Sequence, residues 1–434
     1  MPNSPTLPQR PPADAAFVLA GHGSRRWHAL QGRGAADACA WVARADVAAA
    51  VAPRFDRADR VRARTEATGV LDQIDRWLHA GLAVAGWLGF EVGVALEGLA
   101  VSPRRGDLPD AHLCAFRPDR LQHSPLPAPA AAVRTRALPR ALTRQRKAYL
   151  ARVEAALDAI HSGEVYQVNV TVAARTLRAA LELPDVGACV AAALAVQPVP
   201  LAAAFRGDGH LLVCGSMEEF LAVTAGSVRS RPIKGTSRRG RSPAADEALR
   251  RGLVESTKET AENTMIVDMV RNDLQRACHW GSIEVASLCQ AEAYASLWHL
   301  ESEVRGTLRA ADGLAPLLAA TLPPASVTGC PKVQACHVID RLESRWRGPY
   351  CGTYGLALPD GTSQWAVGIR QVVVGAGWAE IAAGAGIVAD SVPAREWAET
   401  CLKARSGLAL LERMDTLAAP GRDFGAPGAI RAGE

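Results

Sequence analysis

From Val165 to Val172 the chain reads Val-Tyr-Gln-Val-Asn-Val-Thr-Val. Apolar and polar residues alternate strictly, which is the period of a strand and not of a helix. The pattern predicts a strand with Tyr166, Val168, Val170 and Val172 on a core face. Gln167, Asn169 and Thr171 then look the other way, toward solvent or toward something that needs polar groups. A strand must pair. A chain of 434 residues can bury a core large enough to pair it within one big α/β unit or within two or three domains. Apolar residues make up 49% and charged residues 21%, which excludes disorder for the bulk of the chain.

Charge and cysteine content narrow the function classes. Lys and Arg number 49 against 44 Asp and Glu, a net +5. That mild excess suits an anionic small molecule and does not point to nucleic acid. No apolar run reaches the roughly 18 residues of a membrane span. The stretch from Met1 to Pro12 is polar and Pro-rich with no apolar segment behind it, so no secretory signal is expected. The ten cysteines are scattered without a C-x-x-C pair, which predicts free thiols and a cytoplasmic location.

Four zones are expected. Residues 1–122 carry few sharp signals apart from Ala85 to Glu91, an apolar stretch with two glycines that predicts a strand approached closely by other backbone. Residues 123–143 read as a linker or loop, 144–413 as the dense catalytic region, and 414–434 as a flexible tail. Arg144 to Ser162 has helical spacing, with Gly163 placed to close the helix.

Two further helices carry paired carboxylates. In Ser256 to Arg276 an apolar stripe of Met265, Ile266, Met269 and Val270 is extended backwards by Glu262. Glu259 shares that face, although Ser256 and Glu259 also make a capping box. Asp390 to Leu411 repeats the device with Glu396 and Glu399. Ser391 is placed to cap, and Lys403 lies one turn beyond Glu399. Two such helices could meet around a hard cation, since magnesium takes oxygen ligands and keeps water. Ahead of both in sequence lies Arg231-Pro232-Ile233-Lys234-Gly235-Thr236, a basic loop whose Lys234 stands sixteen residues past Glu218. Lys234 and Glu218 on adjacent strands could serve as nucleophile and acid, provided burial frees the amine.

Together these segments resemble the chorismate-utilising family of anthranilate synthase large subunits and aminodeoxychorismate, isochorismate and salicylate synthases. The matching blocks stand in family order. They are Gly163 to Asn169, Pro232 to Thr236, Lys258 to Arg276, Ser326 to Lys332, Tyr350 to Gly352, Ala366 to Arg370 and Gly384 to Ser391. The resemblance implies an α/β (α+β) fold of two antiparallel sheets packed face to face with helices outside. It implies Mg2+ held by Glu262 and Glu399, with Glu259 and Glu396 bonding through waters, against the ring carboxylate of chorismate. Tyr350 and Arg370 would hold the pyruvyl carboxylate, and Gly384 and Gly386 would let backbone N–H groups approach a carboxylate. Ser326, Thr328, Gly329, Lys403 and the loop residue Thr236 would make other substrate contacts. His299 would be an active-site histidine, although alone it reads as structural.

Two positions divide the family's activities. Members that add water carry lysine where this chain has Gln167, and anthranilate synthases carry alanine where it has Lys234. The pair implies amination at C4, with Lys234 adding to C2 while Glu218 protonates the leaving hydroxyl. The chain has no Gly-x-Cys-x-Gly glutaminase motif, so the resemblance implies ammonia supplied by a separate glutaminase subunit. An anthranilate synthase large subunit and a non-catalytic glutaminase-binding subunit are the alternatives. Some positions depart from the pattern. Glu219 stands where an Arg is usual and is expected to raise the pKa of Glu218 by like charge. Asn263 stands for a common His and Gln275 for a common Gly.

Overall fold

The structure, a computed structural model, describes residues 15–20, 27, 38–57, 59–102, 108–126, 138–177, 183–294, 297–309 and 313–418. Among these, nine strands make one sheet and ten another, with antiparallel pairing throughout. The first sheet runs Gly329–Cys330, Gln167–Leu177, Trp378–Ile387, Gln371–Gly375, His210–Ser216, Leu201–Gly207, Ala15–Ala20, Ala38–Ala43, Gln122–Pro125. The second runs Ile233–Arg238, Leu297–Thr307, Ser227–Arg231, Glu219–Thr224, Ser363–Val367, Thr353–Ala357, Ala83–Leu88, Ala111–Phe116, Val47–Val51. Its tenth strand, Glu284–Ala293, lies on the free side of Leu297–Thr307.

The sheets pack face to face. Their inner faces share one apolar cluster, with Phe17, Phe205 and Leu212 from the first sheet against Trp87, Phe116 and Tyr354 from the second. The outer faces are buried by helices, where Val168, Val170 and Val172 join Tyr149, Val153 and Ala156 of the helix Arg146–His161. This is the expected architecture of two antiparallel sheets with helices outside. Residues before and after 122 contribute strands to both sheets, so the N-terminal region is woven into the same unit.

Several local expectations meet their physical reasons. The alternating strand begins at Gln167, and both its faces are buried. Tyr166 precedes the ladder and is 64% exposed, contrary to its expected core position. Gly86 has φ 155°, and a side chain there would fall 2.0 Å from the His112 carbonyl, as the close-approach reading requires. The expected strand ends at Leu88, however, and Phe90–Leu96 is helical. The segment 123–143 is partly built: Gln122–Pro125 is an edge strand and Arg140–Thr143 a helical turn, while 127–137 lies outside the described residues. The expected tail begins late, since the helix Pro393–Ala418 includes the buried Met414. Residues 1–14 and 419–434 lie outside the described residues. All ten cysteines are free thiols. No described helix is long and apolar enough to cross a membrane.

Candidate active site

The site forms where one edge of each sheet comes together. From the first sheet come Gln167 and Gly386, on neighbouring strands that pair Gly386 with Asn169. From the second come Lys234 and His299, on strands that pair Thr236 with His299. Gly386 is the hinge of this meeting. A side chain there would stand 3.0 Å from Gln167 Nε2 and 3.1 Å from Lys234 Nζ. Glycine thus leaves room for two polar groups from opposite sheets to reach one point. Gln167 is fully buried, and neither end of its amide has a partner among the described residues. A buried amide left without hydrogen bonds costs on the order of 1–3 kcal/mol, which a polar ligand would recover.

Lys234 is tuned by its surroundings. Burial lowers its pKa, Lys403 adds to that, and Glu262, Glu218 and Glu399 oppose it. Glu218 is 6% exposed, and burial pushes its pKa up to about 7. Hydrogen bonds from Ser326 and the Ile233 N–H, and the charge of Lys234, hold that rise in check, while Glu301 adds to it. Glu219 does not act as expected. It is bound by Arg229 at 2.7 Å and by Gln364 at 2.7 Å, so its charge is spent inside the second sheet.

His299 is 2% exposed, and burial lowers its pKa to about 4, so the ring is neutral at pH 7. Nδ1 is 3.0 Å from the Thr236 hydroxyl, and Nε2 has no partner among the described residues. Tyr294 packs edge-on against the ring at 4.9 Å. Other expected contacts are already engaged. The Thr328 hydroxyl donates to the Pro324 carbonyl at 2.8 Å, and Gly329 has φ 145° because a side chain would strike the Gln167 carbonyl. Gly384 is packed on Val170, and its carbonyl accepts from Lys403 at 3.3 Å. Arg370 donates to the Lys403 carbonyl and the Ser406 hydroxyl, and its charge reaches the buried Tyr350.

The two acidic helices converge beside Lys234. Thr257–Gln275 is capped by the Ser256 hydroxyl, which accepts from the Glu259 N–H, and its buried face includes Glu262, Ile266, Val267 and Val270. Pro393–Ala418 presents Glu396, 4% exposed, and Glu399, whose side chain is half-exposed and 2.6 Å from Lys403. Ser391, expected as a cap, instead accepts from the Val388 N–H and bonds Glu396. One ammonium, Lys258, lies 3.7 Å from Glu262 and 4.0 Å from Glu396, bridging the helices.

Burial raises the pKa of Glu259, Glu262 and Glu396, and each is raised further by another of these carboxylates. Burial would also raise Glu399, but Lys403 outweighs it and holds that group low. Among the described residues no three carboxylate, histidine or cysteine side chains form a ready cage for an ion. Carboxylates gathered from two helices are nonetheless the ligand type of a hard cation that takes few protein ligands and keeps its waters.

Residues to which the sequence reading gave no role hold this site in place. Glu343 accepts from the Thr171 N–H and hydroxyl and from Arg347, and Arg347 also donates to the Asn169 and Val327 carbonyls. Asp273 and Lys332 form a buried pair at 2.6 Å that ties the first acidic helix to the loop bearing Ser326. The i,i+4 spacing of Glu343 and Arg347 is the one sequence signal for the first of these, and it is common on exposed helices.

Known proteins share parts of this sequence and its fold. The chain is 39% identical over 269 residues to anthranilate synthase component 1 of Thermus thermophilus, covering 62% of this chain and 57% of that protein. It is 38% identical over 262 residues to an aminodeoxychorismate synthase of Streptomyces pristinaespiralis, covering 60% and 36%. Matches take in 57%, 63% and 54% of the length of three anthranilate synthase relatives. The solved anthranilate synthase component I of Streptococcus pneumoniae shares the fold, with a TM-score of 0.64 at 24% identity over 78% of this chain and 85% of that one. The chorismate binding enzyme family matches residues 24–409, which take in every described strand but Ala15–Ala20 and both pairs of helical glutamates, and the chain belongs to that family.

Proposed function

We propose that this chain aminates chorismate at C4, giving 4-amino-4-deoxychorismate, with ammonia delivered by a separate glutaminase subunit. The observation that carries the reading is the meeting of the Lys234 amine and the unpartnered Gln167 amide over Gly386, with Glu218 within reach of Lys234's charge. Lys234 Nζ adds to C2, the ring double bonds shift, and the C4–O bond breaks. Glu218 gives its proton to the departing hydroxyl, which leaves as water. Ammonia then bonds to C4, the double bonds shift back, and the C2–N bond breaks to free Lys234. Glu218 takes up the proton shed by the new ammonium, so the cycle closes without a net proton. A carboxyl with a pKa of about 7 is suited to both transfers. Burial, which lowers the pKa of Lys234, supplies the neutral amine the first step needs.

Neutral His299 offers Nε2 to the substrate, with Thr236 fixing the ring from the other nitrogen. Arg370 suits the pyruvyl carboxylate, since a guanidinium can grip a carboxylate with two parallel bonds. Glu262 and Glu399 would hold magnesium, with Glu259 and Glu396 bonding through waters. Bound there, the ion would supply positive charge to the ring carboxylate. The test is chromatography and mass analysis of products from chorismate, ammonia and Mg2+. The expected product is 4-amino-4-deoxychorismate. Anthranilate alone would overturn the reading in favour of an anthranilate synthase, and no turnover would favour a binding subunit.

A further inference from the structure

Lys258 sits in the first turn of the helix Thr257–Gln275, one residue before Glu259. A cation is out of place there, because the N-terminal end of a helix carries the positive end of its dipole. Its pairing within the helix is also the weaker kind, since a lysine four residues before a glutamate is oriented less well than the reverse. The partner that explains it is on the neighbouring helix. The ammonium lies 3.7 Å from Glu262 on its own helix and 4.0 Å from Glu396 on Pro393–Ala418, too far from either for a hydrogen bond. The Lys258 side chain is 42% exposed, while both carboxylates are buried. Two other ammonium groups stand among these glutamates, and each is more closely engaged. Lys403 is 2.6 Å from Glu399 and donates to the Gly384 carbonyl at 3.3 Å. Lys234 meets Gln167 over Gly386. Lys258 is the loosely held charge of the three.

We propose that Lys258 is an internal competitor for the cation, a counter-ion that spans the two acidic helices and gives way when a divalent metal binds between them. The inference rests on the reading that these helical glutamates take magnesium. The ammonium and the metal draw on the same carboxylates, so their positive charges oppose one another. A lysine suits this task, since its charge rides on a flexible four-carbon stem that can withdraw toward water. The reach of the charge is in keeping with it, because Lys258 favours the ionised form of Glu259, Glu262, Glu396 and Glu399 alike. The lysine thus compensates the buried carboxylates and weakens the metal's grip.

The experiment measures magnesium binding by calorimetry, and the melting temperature in chelator, for wild type, Lys258→Gln and Lys258→Arg. Removing one partly exposed positive charge beside a divalent ion is worth roughly three- to tenfold in affinity. Lys258→Gln should therefore bind magnesium more tightly by that factor. Its ion-free form should melt lower than wild type, because Glu262 and Glu396 lose their counter-charge. Lys258→Arg keeps the charge and should match wild type in both. The sign separates competition from damage, since a variant that merely disturbs the helices loses affinity. Equal or weaker binding in Lys258→Gln would overturn the proposal, and so would an ion-free melting temperature no lower than that of wild type. Magnesium that binds neither wild type nor Lys258→Gln removes the metal reading and this inference with it, whereas equal binding in both removes this inference alone.

Discussion

Lys234 and Gln167 were legible as letters that separate one activity from another, but their meeting point was not. Only the folded chain puts an empty glycine position, Gly386, within 3.1 Å of both. The same limit explains the misplaced Glu219. Adjacency in sequence suggested that its charge would bear on Glu218, yet Glu219 is spent on Arg229 and Gln364. Burial is what chiefly raises the pKa of Glu218, and no single neighbour in the sequence announces it. Tyr166 failed for a simpler reason, since periodicity does not say where a ladder begins. At this scale the sharpest expectation concerns Lys234. Lys234→Ala should lose the 4-amino product by at least about a hundredfold, the lower end of what a lost catalytic group costs. It should form small amounts of the 2-amino isomer instead, because ammonia can then reach C2. Lys234→Arg should fail as well, since a guanidinium stays protonated. Product analysis of both variants decides; a near wild-type yield of 4-amino product from Lys234→Ala would reduce the lysine to a substrate contact.

Paired carboxylates were readable from helical spacing because i,i+3 neighbours share a face whatever the tertiary structure. Spacing could not say which glutamate of each pair would be buried. Glu262 lies on the apolar stripe and is buried, as its position implied, but in the second helix Glu396 is the buried one and Glu399 leans out to Lys403. That choice is made by how each helix is rotated against the sheets, which no local pattern records. Lys258 spans Glu262 and Glu396 and so offsets part of their charge. If these helices hold magnesium, excess chelator should abolish turnover, and Glu262→Ala and Glu399→Ala should do the same. A binding readout separates this from a purely structural effect. Magnesium at a hundredfold over its dissociation constant stabilises a folded protein by about 2.7 kcal/mol, which should raise the melting temperature of wild type and leave both variants unmoved. Full activity in chelator would remove the metal from the reaction.

At the scale of the whole molecule, the sandwich itself was foreseen through the ordered motif blocks, while the weaving of residues before 122 into both sheets was not, because those strands are short and Ala-rich. The site sits at one end of the interleaved unit, where the strands bearing Gln167, Gly386, Lys234 and His299 meet. Under the proposed function, substrate chemistry and nitrogen supply are separate problems for this chain. Ammonia is small and needs only to reach C4, whereas hydrolysing glutamine needs an activated thiol of lowered pKa. Burial raises the pKa of Cys39, Cys114, Cys189, Cys214, Cys278, Cys330, Cys336, Cys351 and Cys401, and none sits in a Gly-x-Cys-x-Gly turn. The chain should accordingly turn over chorismate with ammonium salts, faster at higher pH as more free ammonia forms, until deprotonation of Glu218 near pH 7 removes the acid. With glutamine as the sole nitrogen source the pure chain should give no aminated product, and adding a separate glutaminase subunit should restore it. Coupled assays with each nitrogen source, with and without that subunit, make the comparison; steady turnover of glutamine by the pure chain would show that this division of labour is wrong.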